Sequence, residues 1–415
     1  MTVTETPPAT EPASIDLLAP TFYGDGMHES LTWMRANEPF FHDTKGGVFG
    51  VTRHADVHEV EGRSDAFVSG QGYRSFVSPG ETNMIAQDDP RHAAQRGLVA
   101  RRFTPKAVRA HEPWMRSTVD ALIDGFAGGT GPGAGPGEVE VVDAVAAQLP
   151  CRLTARLLGW PEDRWADVKS WSERLMRYDA IAYDGPAMVE MMEAIIEFNG
   201  DLQAMVSERK GCPVDHDSDL TTVWANAEID GVALDAESIM HETGLFISGG
   251  AETTRTVIAR GLRTFCDHPD QWERLATDPA VVPTAVDELV RWVTPLNNFF
   301  RTAATDAVVA EGTDREHRFS AGDRLVLLYP SANRDEAVFA DPFTFDITRS
   351  PNPHLGFGFG THFCLGASLA RFELTMLFSS LAQRITNLRV AEELVPEANM
   401  FACAVQSFHL GFDWR

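Results

Sequence analysis

The chain is poor in cations, in paired cysteines and in long apolar runs. Lys and Arg number 35 against 60 Asp and Glu, for a formal net charge of −25 over 415 residues. Such a surface repels nucleic-acid phosphates and anionic membranes, which argues against a role built on either. The five cysteines, Cys151, Cys212, Cys266, Cys364 and Cys403, are scattered, odd in number and without a CxxC pair. A disulfide framework is therefore not expected, and a reducing cytosol fits. No run of about 18 apolar residues occurs, so no helix is expected to span a membrane. The opening MTVTETPPATEPASIDLLAP lacks the basic and apolar regions of a secretory signal. The expected location is the cytoplasm.

Hydrophobic residues make up 44% of the chain, enough for a full core. Length alone favours two or three domains, yet no internal boundary of suitable composition appears. A single domain over residues 16–415 is expected, large enough to bury a cofactor and a substrate. Residues 1–15, rich in Pro, Thr, Ala and Glu, read as a disordered tail. The Gly/Pro-rich stretch from Gly128 to Glu138 reads as a surface loop rather than an interdomain linker, because helical patterns flank it on both sides.

Helical periodicity dominates, at residues 91–103, 108–126, 142–158, 186–210, 235–268 and 365–385, while strand-like runs are short, chiefly those starting at Phe49 and Arg324. The expected fold is mainly α with a minor β region. The segment from Asp235 to His268 is the longest. Asp235 is a plausible N-cap and His268-Pro269 the stop. At 1.5 Å per residue this helix would be on the order of 48 Å long. Its middle holds Ser248-Gly249-Gly250, and each glycine costs a helix about 1 kcal/mol. Either another helix crosses closely there, or a flat ligand lies on bare backbone, or the helix opens locally.

The run His354-Leu-Gly-Phe-Gly-Phe-Gly-Thr-His-Phe-Cys-Leu-Gly366 places four glycines around Cys364, with a helical pattern directly after it. A cysteine at a helix N-terminus in a backbone-rich loop is expected to have a lowered thiol pKa. Held as a thiolate, it can ligate iron and favour O–O cleavage. Phe357 can shield the sulfur, and His362 can donate to a nearby anion.

Phe357-Gly358-Phe-Gly360-Thr-His362-Phe-Cys364-Leu-Gly366 resembles the haem-binding signature FxxGxxxCxG of the cytochrome P450 superfamily. The resemblance implies the P450 fold, haem b (iron protoporphyrin IX) ligated by Cys364, and monooxygenase activity. Further motifs follow in the family's order. Gly249-Gly250-Ala-Glu252-Thr253-Thr resembles the oxygen-activation motif, in which the helix opens for O₂ and Glu252 and Thr253 match an acid–alcohol pair. The chemistry agrees, since reducing O₂ to water needs protons at a site otherwise kept dry. Glu288-Leu-Val-Arg291 resembles ExxR, a buried pair joined by a third arginine, for which Arg334 is favoured over Arg349. His92-Ala-Ala-Gln-Arg96 resembles HxxxR; with Arg301 of Phe300-Arg-Thr-Ala303 and with His362, it implies a grip on the haem propionates.

The resemblance also implies electrons from a ferredoxin and its NAD(P)H-dependent reductase. The basic cluster Arg101, Arg102 and Lys106 is the expected docking patch. Expected pocket residues are Phe76, Met84, Leu245, Ser248, Gly249, Val293, Leu296, Asn297 and Phe401. They are mostly apolar, with no fixed cation suited to a free carboxylate, so a bulky apolar substrate is expected. FYGDGMHESLTWMRANEPFF and PNPHLGFGFGTHFCLG resemble the actinobacterial branch that hydroxylates sterol and steroid side chains. A macrocyclic or terpenoid natural product is the alternative substrate. A peroxide-driven enzyme and a non-enzymatic haem sensor or carrier are the alternative functions; the Glu252-Thr253 pair argues against both.

Overall fold

A computed structural model describes residues 15–126, 136–182 and 184–415. The expected disordered tail lies outside these residues except for Ile15, which packs against buried apolar side chains. Most of the Gly/Pro-rich stretch is also outside. Its last residues, Gly137 and Glu138, begin a strand and so correct the expectation of a loop there.

Among the described residues the α-helices are α1 (Met27–Asn37), α2 (His54–Gly62), α3 (Arg91–Val99), α4 (Pro105–Arg109), α5 (Glu112–Asp124), α6 (Gln148–Leu158) and α7 (Trp165–Met176); then α8 (Gly185–Arg209), α9 (Leu220–Ala225), α10 (Ala236–Asp267), α11 (Pro269–Thr277), α12 (Val282–Val293), α13 (Tyr329–Ala332) and α14 (Ala367–Arg384). The strands are β1 (Phe40–Asp43), β2 (Val48–Val51), β3 (Phe67–Val68), β4 (Gly137–Glu140), β5 (Glu228–Ile229) and β6 (Val232–Ala233); then β7 (Asn298–Ala303), β8 (Ala307–Val309), β9 (His317–Phe319), β10 (Arg324–Leu328), β11 (Ile385–Pro396) and β12 (Val405–Trp414). The main sheet runs β1-β2-β10-β7-β3, with β10 parallel to β2 and the other pairs antiparallel. A second sheet runs β11-β12-β4.

The strand that starts at Arg324 ends at Leu328, and Tyr329-Pro330 open α13. Proline has no N–H for a sheet ladder but is tolerated in a first helical turn. The β11–β12 hairpin went unrecognised in the sequence because its burial is irregular and several register shifts interrupt the pairing.

Helix α10 is the axis of the largest core. Asp235 caps it, accepting from Ser238 N at 2.7 Å. The helix then runs unbroken for 32 residues, so no local opening occurs at Gly249-Gly250. Ile247, Ala251, Val257, Ile258, Leu262 and Phe265 are buried along it.

The same helix fixes the segment that precedes α3. His241 Nδ1 meets Thr82 Oγ1 at 2.8 Å. Glu242 Oε1 accepts from Met84 N at 3.0 Å and from Gln95 Nε2 at 3.1 Å. Burial pushes the Glu242 carboxyl up to about 8, against the pull of the Met84 N–H and of Arg91. Because the folded value exceeds the ordinary carboxylate value, stability is full at acid pH and declines as pH rises towards 8. Replacing Glu242 with Gln keeps the acceptor and removes the titration. The Glu242→Gln protein should show a flatter urea midpoint between pH 5 and 8, gaining up to a few kcal/mol relative to wild type at the upper end. Parallel curves for the two proteins would refute this.

Candidate active site

Glu288 and Arg291 of α12 are both fully buried, with 0% exposure. Arg291 Nε and Nη2 each donate to Glu288 at 2.7 Å, and Nη1 donates to the carbonyls of Asn333 and Pro342, both at 2.9 Å. Glu288 in turn accepts from Asp346 N at 3.0 Å and from Asn352 Nδ2 at 3.2 Å. The third arginine is Arg349, whose Nε lies 3.2 Å from Glu288 Oε2. Arg334, favoured from the sequence, instead donates to the carbonyls of Arg291 and Trp292. A guanidinium from the segment after α13 reaches the back of α12, and only the later Arg349 arrives on the carboxylate side.

This network anchors the cysteine loop. Asn333 Oδ1 accepts from Leu355 N at 2.7 Å, and Cys364 N donates to Phe357 O at 2.9 Å, closing the bend. Gly358 and Gly360 take φ values of +67° and +68°. A Cβ on Gly360 would stand 2.3 Å from Glu61 O of α2, so backbone meets backbone where a side chain cannot fit. Gly366 precedes α14, and its N–H and that of Ala367 point to the sulfur. Burial pushes Cys364 up, and the two N–H groups, Arg96 and Arg371 only partly offset it.

The loop and α10 bound one apolar cavity with an empty volume of about 1780 Å³, its open mouth included. Of the residues expected at the site, His92, Arg96, Gly249, Gly250, Thr253, Arg301, Phe357, Gly358, His362, Cys364 and Gly366 line it. So do Met84, Leu245, Ser248, Leu296 and Phe401. The cations gather on one wall. Burial, then Arg301, His92 and Arg96, depress His362 to about 2. Its Nδ1 is buried with no partner among the described residues. His92 lies with its Nδ1 2.8 Å from Met84 O, Arg96 donates to Phe363 O at 2.7 Å, and Arg301 donates to Phe300 O at 2.8 Å.

The two glycines of α10 have different reasons. A Cβ at Gly249 would meet nothing within 4 Å, so bare backbone faces the cavity; one at Gly250 would sit 2.8 Å from Thr154 Oγ1 of α6. Thr253 lines the cavity with its hydroxyl donating to Gly249 O at 3.0 Å. Glu252 is not on the cavity wall. It is buried beside Arg255, which donates to Glu252 Oε1 at 2.6 Å and also pairs with Glu173.

Three expected pocket residues lie elsewhere. Phe76 packs edge-on against Tyr178, with ring centroids 5.5 Å apart. Val293 joins the main core, and the Asn297 Nδ2 donates to the carbonyls of Asn399 and Met400. The sequence also gave no sign of Arg74, Glu61 or Glu373, which line the cavity. Glu61 accepts from Tyr329 OH at 2.6 Å, lies 3.9 Å from Arg301 and is pushed up to about 7 by burial. Neither its spacing nor its neighbours mark it out, since HEVEGR reads as an ordinary charged helix face.

A cysteine lining an apolar cavity beside clustered cations matches a known family. The model of the cytochrome P450 family matches residues 168–399. The chain belongs to the cytochrome P450 family. It is 36% identical over 381 residues to a steroid C26-monooxygenase of Mycolicibacterium smegmatis, covering 91% of this chain and 90% of that protein. It is 34% identical to a steroid C26-monooxygenase of Mycobacterium tuberculosis, with 92% of each covered. Among solved structures, a Mycobacterium marinum cytochrome P450 in complex with pseudoionone superposes with a TM-score of 0.85 at 30% identity, covering 97% of this chain and 99% of that one. The protein is therefore a P450 monooxygenase, and its cofactor is haem b.

The residues fit that cofactor. The unpartnered Nδ1 of His362 and the crowded cations call for anionic groups, and the bare backbone at Gly249 leaves room for a flat one. Cys364 would hold the iron, and His92, Arg96, Arg301 and His362 the propionates. Bound there, haem supplies the iron at which O₂ is activated.

The Gly360→Ala substitution should lower cofactor content and cost on the order of 2–4 kcal/mol, combining positive-φ strain with the clash. Gly47→Ala is the control. Gly47 has φ +65° but nothing within 4 Å of a Cβ, so about 1 kcal/mol is expected. Thermal melting and haem absorbance at fixed protein concentration distinguish the two, and equal losses would refute the close-approach argument.

Proposed function

We propose that this P450 inserts one oxygen atom of O₂ into the side chain of a sterol or steroid in the cytoplasm, with electrons from a ferredoxin and its NAD(P)H-dependent reductase. The carrying observation is the cavity, whose wall beyond the cations is supplied by Met84, Leu245, Leu296, Phe299 and Phe401. It suits a bulky apolar molecule. The activity of the curated relatives, at about a third identity over nearly the full chain, favours a steroid within that class.

Glu252 and Thr253 serve as the proton-delivery pair in this reading. Thr253 faces the cavity and can hold an ordered water. Glu252 sits behind the helix, its Oε2 without a partner among the described residues. Burial raises its carboxyl against the pull of Arg255. For the ferredoxin, Arg101 and Lys106 are exposed and free to dock, whereas Arg102 is tied to the carbonyls of Asp215 and Ser218.

Titrating the haem protein with a panel of steroids, terpenoid ketones and macrolides tests the substrate class. Steroids should give the absorbance shift that follows loss of the distal water, and turnover with ferredoxin and NADH should place the hydroxyl on the side chain. No response to any steroid would overturn the substrate reading. The Thr253→Ala enzyme should keep consuming NADH while losing roughly tenfold or more of its product per electron pair. Unchanged coupling would remove Thr253 from the proton path.

A further inference from the structure

The cavity holds one more arginine besides the four residues that fit the cofactor. Arg74, from the segment between β3 and α3, lines it and is only 6% exposed. Its Nε donates to Asp179 Oδ2 at 2.7 Å, and Nη2 lies 2.5 Å from the same oxygen and 3.0 Å from Met176 O. The guanidinium is stacked on Phe401, 3.7 Å from the ring centroid. Among the described residues Nη1 finds no acceptor. Asp179 cannot serve it, because Oδ1 is already taken by Ser75 N at 2.9 Å and by the Ser75 hydroxyl. An arginine carries five N–H donors, and the two on Nη1 are left for a group inside the cavity that Arg74 lines.

We propose that Arg74 anchors an uncharged oxygen, a ketone or a hydroxyl, on an otherwise apolar substrate, at a point other than the carbon that is oxidised. This rests on reading the cavity as the substrate chamber. The pairing with Asp179 decides the charge of the ligand. The Arg74–Asp179 unit is already neutral, so a carboxylate would add a net buried anion, whereas a neutral acceptor completes the donor set at no such cost. Phe401 beneath the guanidinium fixes the orientation of its plane and covers that side. Arg74 is a fixed cation on the cavity wall, but its pairing with Asp179 leaves it unsuited to a free carboxylate.

The test uses the intact haem protein and two matched series. One is cholestenone, cholestene and cholesteryl hemisuccinate; the other is a long-chain methyl ketone, its alkane and its fatty acid. Dissociation constants are read from the absorbance shift. In wild type the neutral oxygenated member of a series should bind about 10- to 100-fold more tightly than its hydrocarbon, and more tightly than its acid. Arg74→Lys keeps the charge opposite Asp179 but lacks the second donor arm, and the double variant Arg74→Met/Asp179→Asn removes both charges together. In each the gap should close to within about threefold, with the carbon monoxide spectrum of the wild type retained as proof of an intact site. A gap that persists in both variants, a gap absent from wild type, or tightest binding by the acids would overturn the proposal. Silence from the steroids alongside an Arg74-dependent gap in the acyclic series would sink the steroid reading and leave the anchor standing. Silence from both series overturns the two together.

Discussion

A carboxylate and a guanidinium with no access to water, Glu288 and Arg291, organise the half of the molecule that carries the cysteine. In a low-dielectric interior an ion pair of this kind is tolerable only when its remaining donors and acceptors are also filled. Here carbonyls of Asn333, Pro342 and Thr344 fill the arginine's donors, and the N–H of Asp346, the Asn352 amide and Arg349 fill the carboxylate's acceptors. The pair therefore acts less as a bond between two side chains than as a template for the path of residues 333–352. Asn333 passes that path on to Leu355. The position of Cys364 is thus set by groups on a different helix, none of which touches the sulfur.

The electrostatics of the site run against those of the protein as a whole. A chain with a net charge of −25 gathers His92, Arg96, Arg301 and His362 on one cavity wall. Their mutual repulsion, added to burial, holds His362 far below the usual histidine range. Burial alone holds Cys364 above the usual thiol range. Bound propionates would relieve the first and a metal ion the second. Glu61 sharpens the point. A buried acid beside Arg301 competes for the same guanidinium, and its upward shift to about 7 records how little solvation it retains.

Helix α10 divides the chemistry in two. One face, with Gly249 and Thr253, belongs to the cavity; the other carries Glu252 among Arg255 and Glu173. Gly249 and Gly250 are adjacent in sequence yet answer to opposite demands, open space on one side and the hydroxyl of Thr154 on the other. A helix turns about 100° per residue, so neighbours that both border the cavity still meet different surroundings.

The parts of this protein legible in the sequence were those in which spacing along the chain is itself the constraint. The cysteine loop, the i, i+3 pair of α12, the i, i+4 pair of α3 and the cap and stop of α10 are local, and each survived folding with little change. The mainly helical class was legible for the same reason. What only the tertiary structure decided were relations between distant segments: Arg349 rather than Arg334 as partner of Glu288, Asn297 turned to hold backbone rather than substrate, Arg74 on the cavity wall, and the β11–β12 hairpin. In each case several side chains of suitable chemistry stood within reach in sequence. The choice among them depended on which one packing left facing the buried charge or the empty space, a property no single segment possesses.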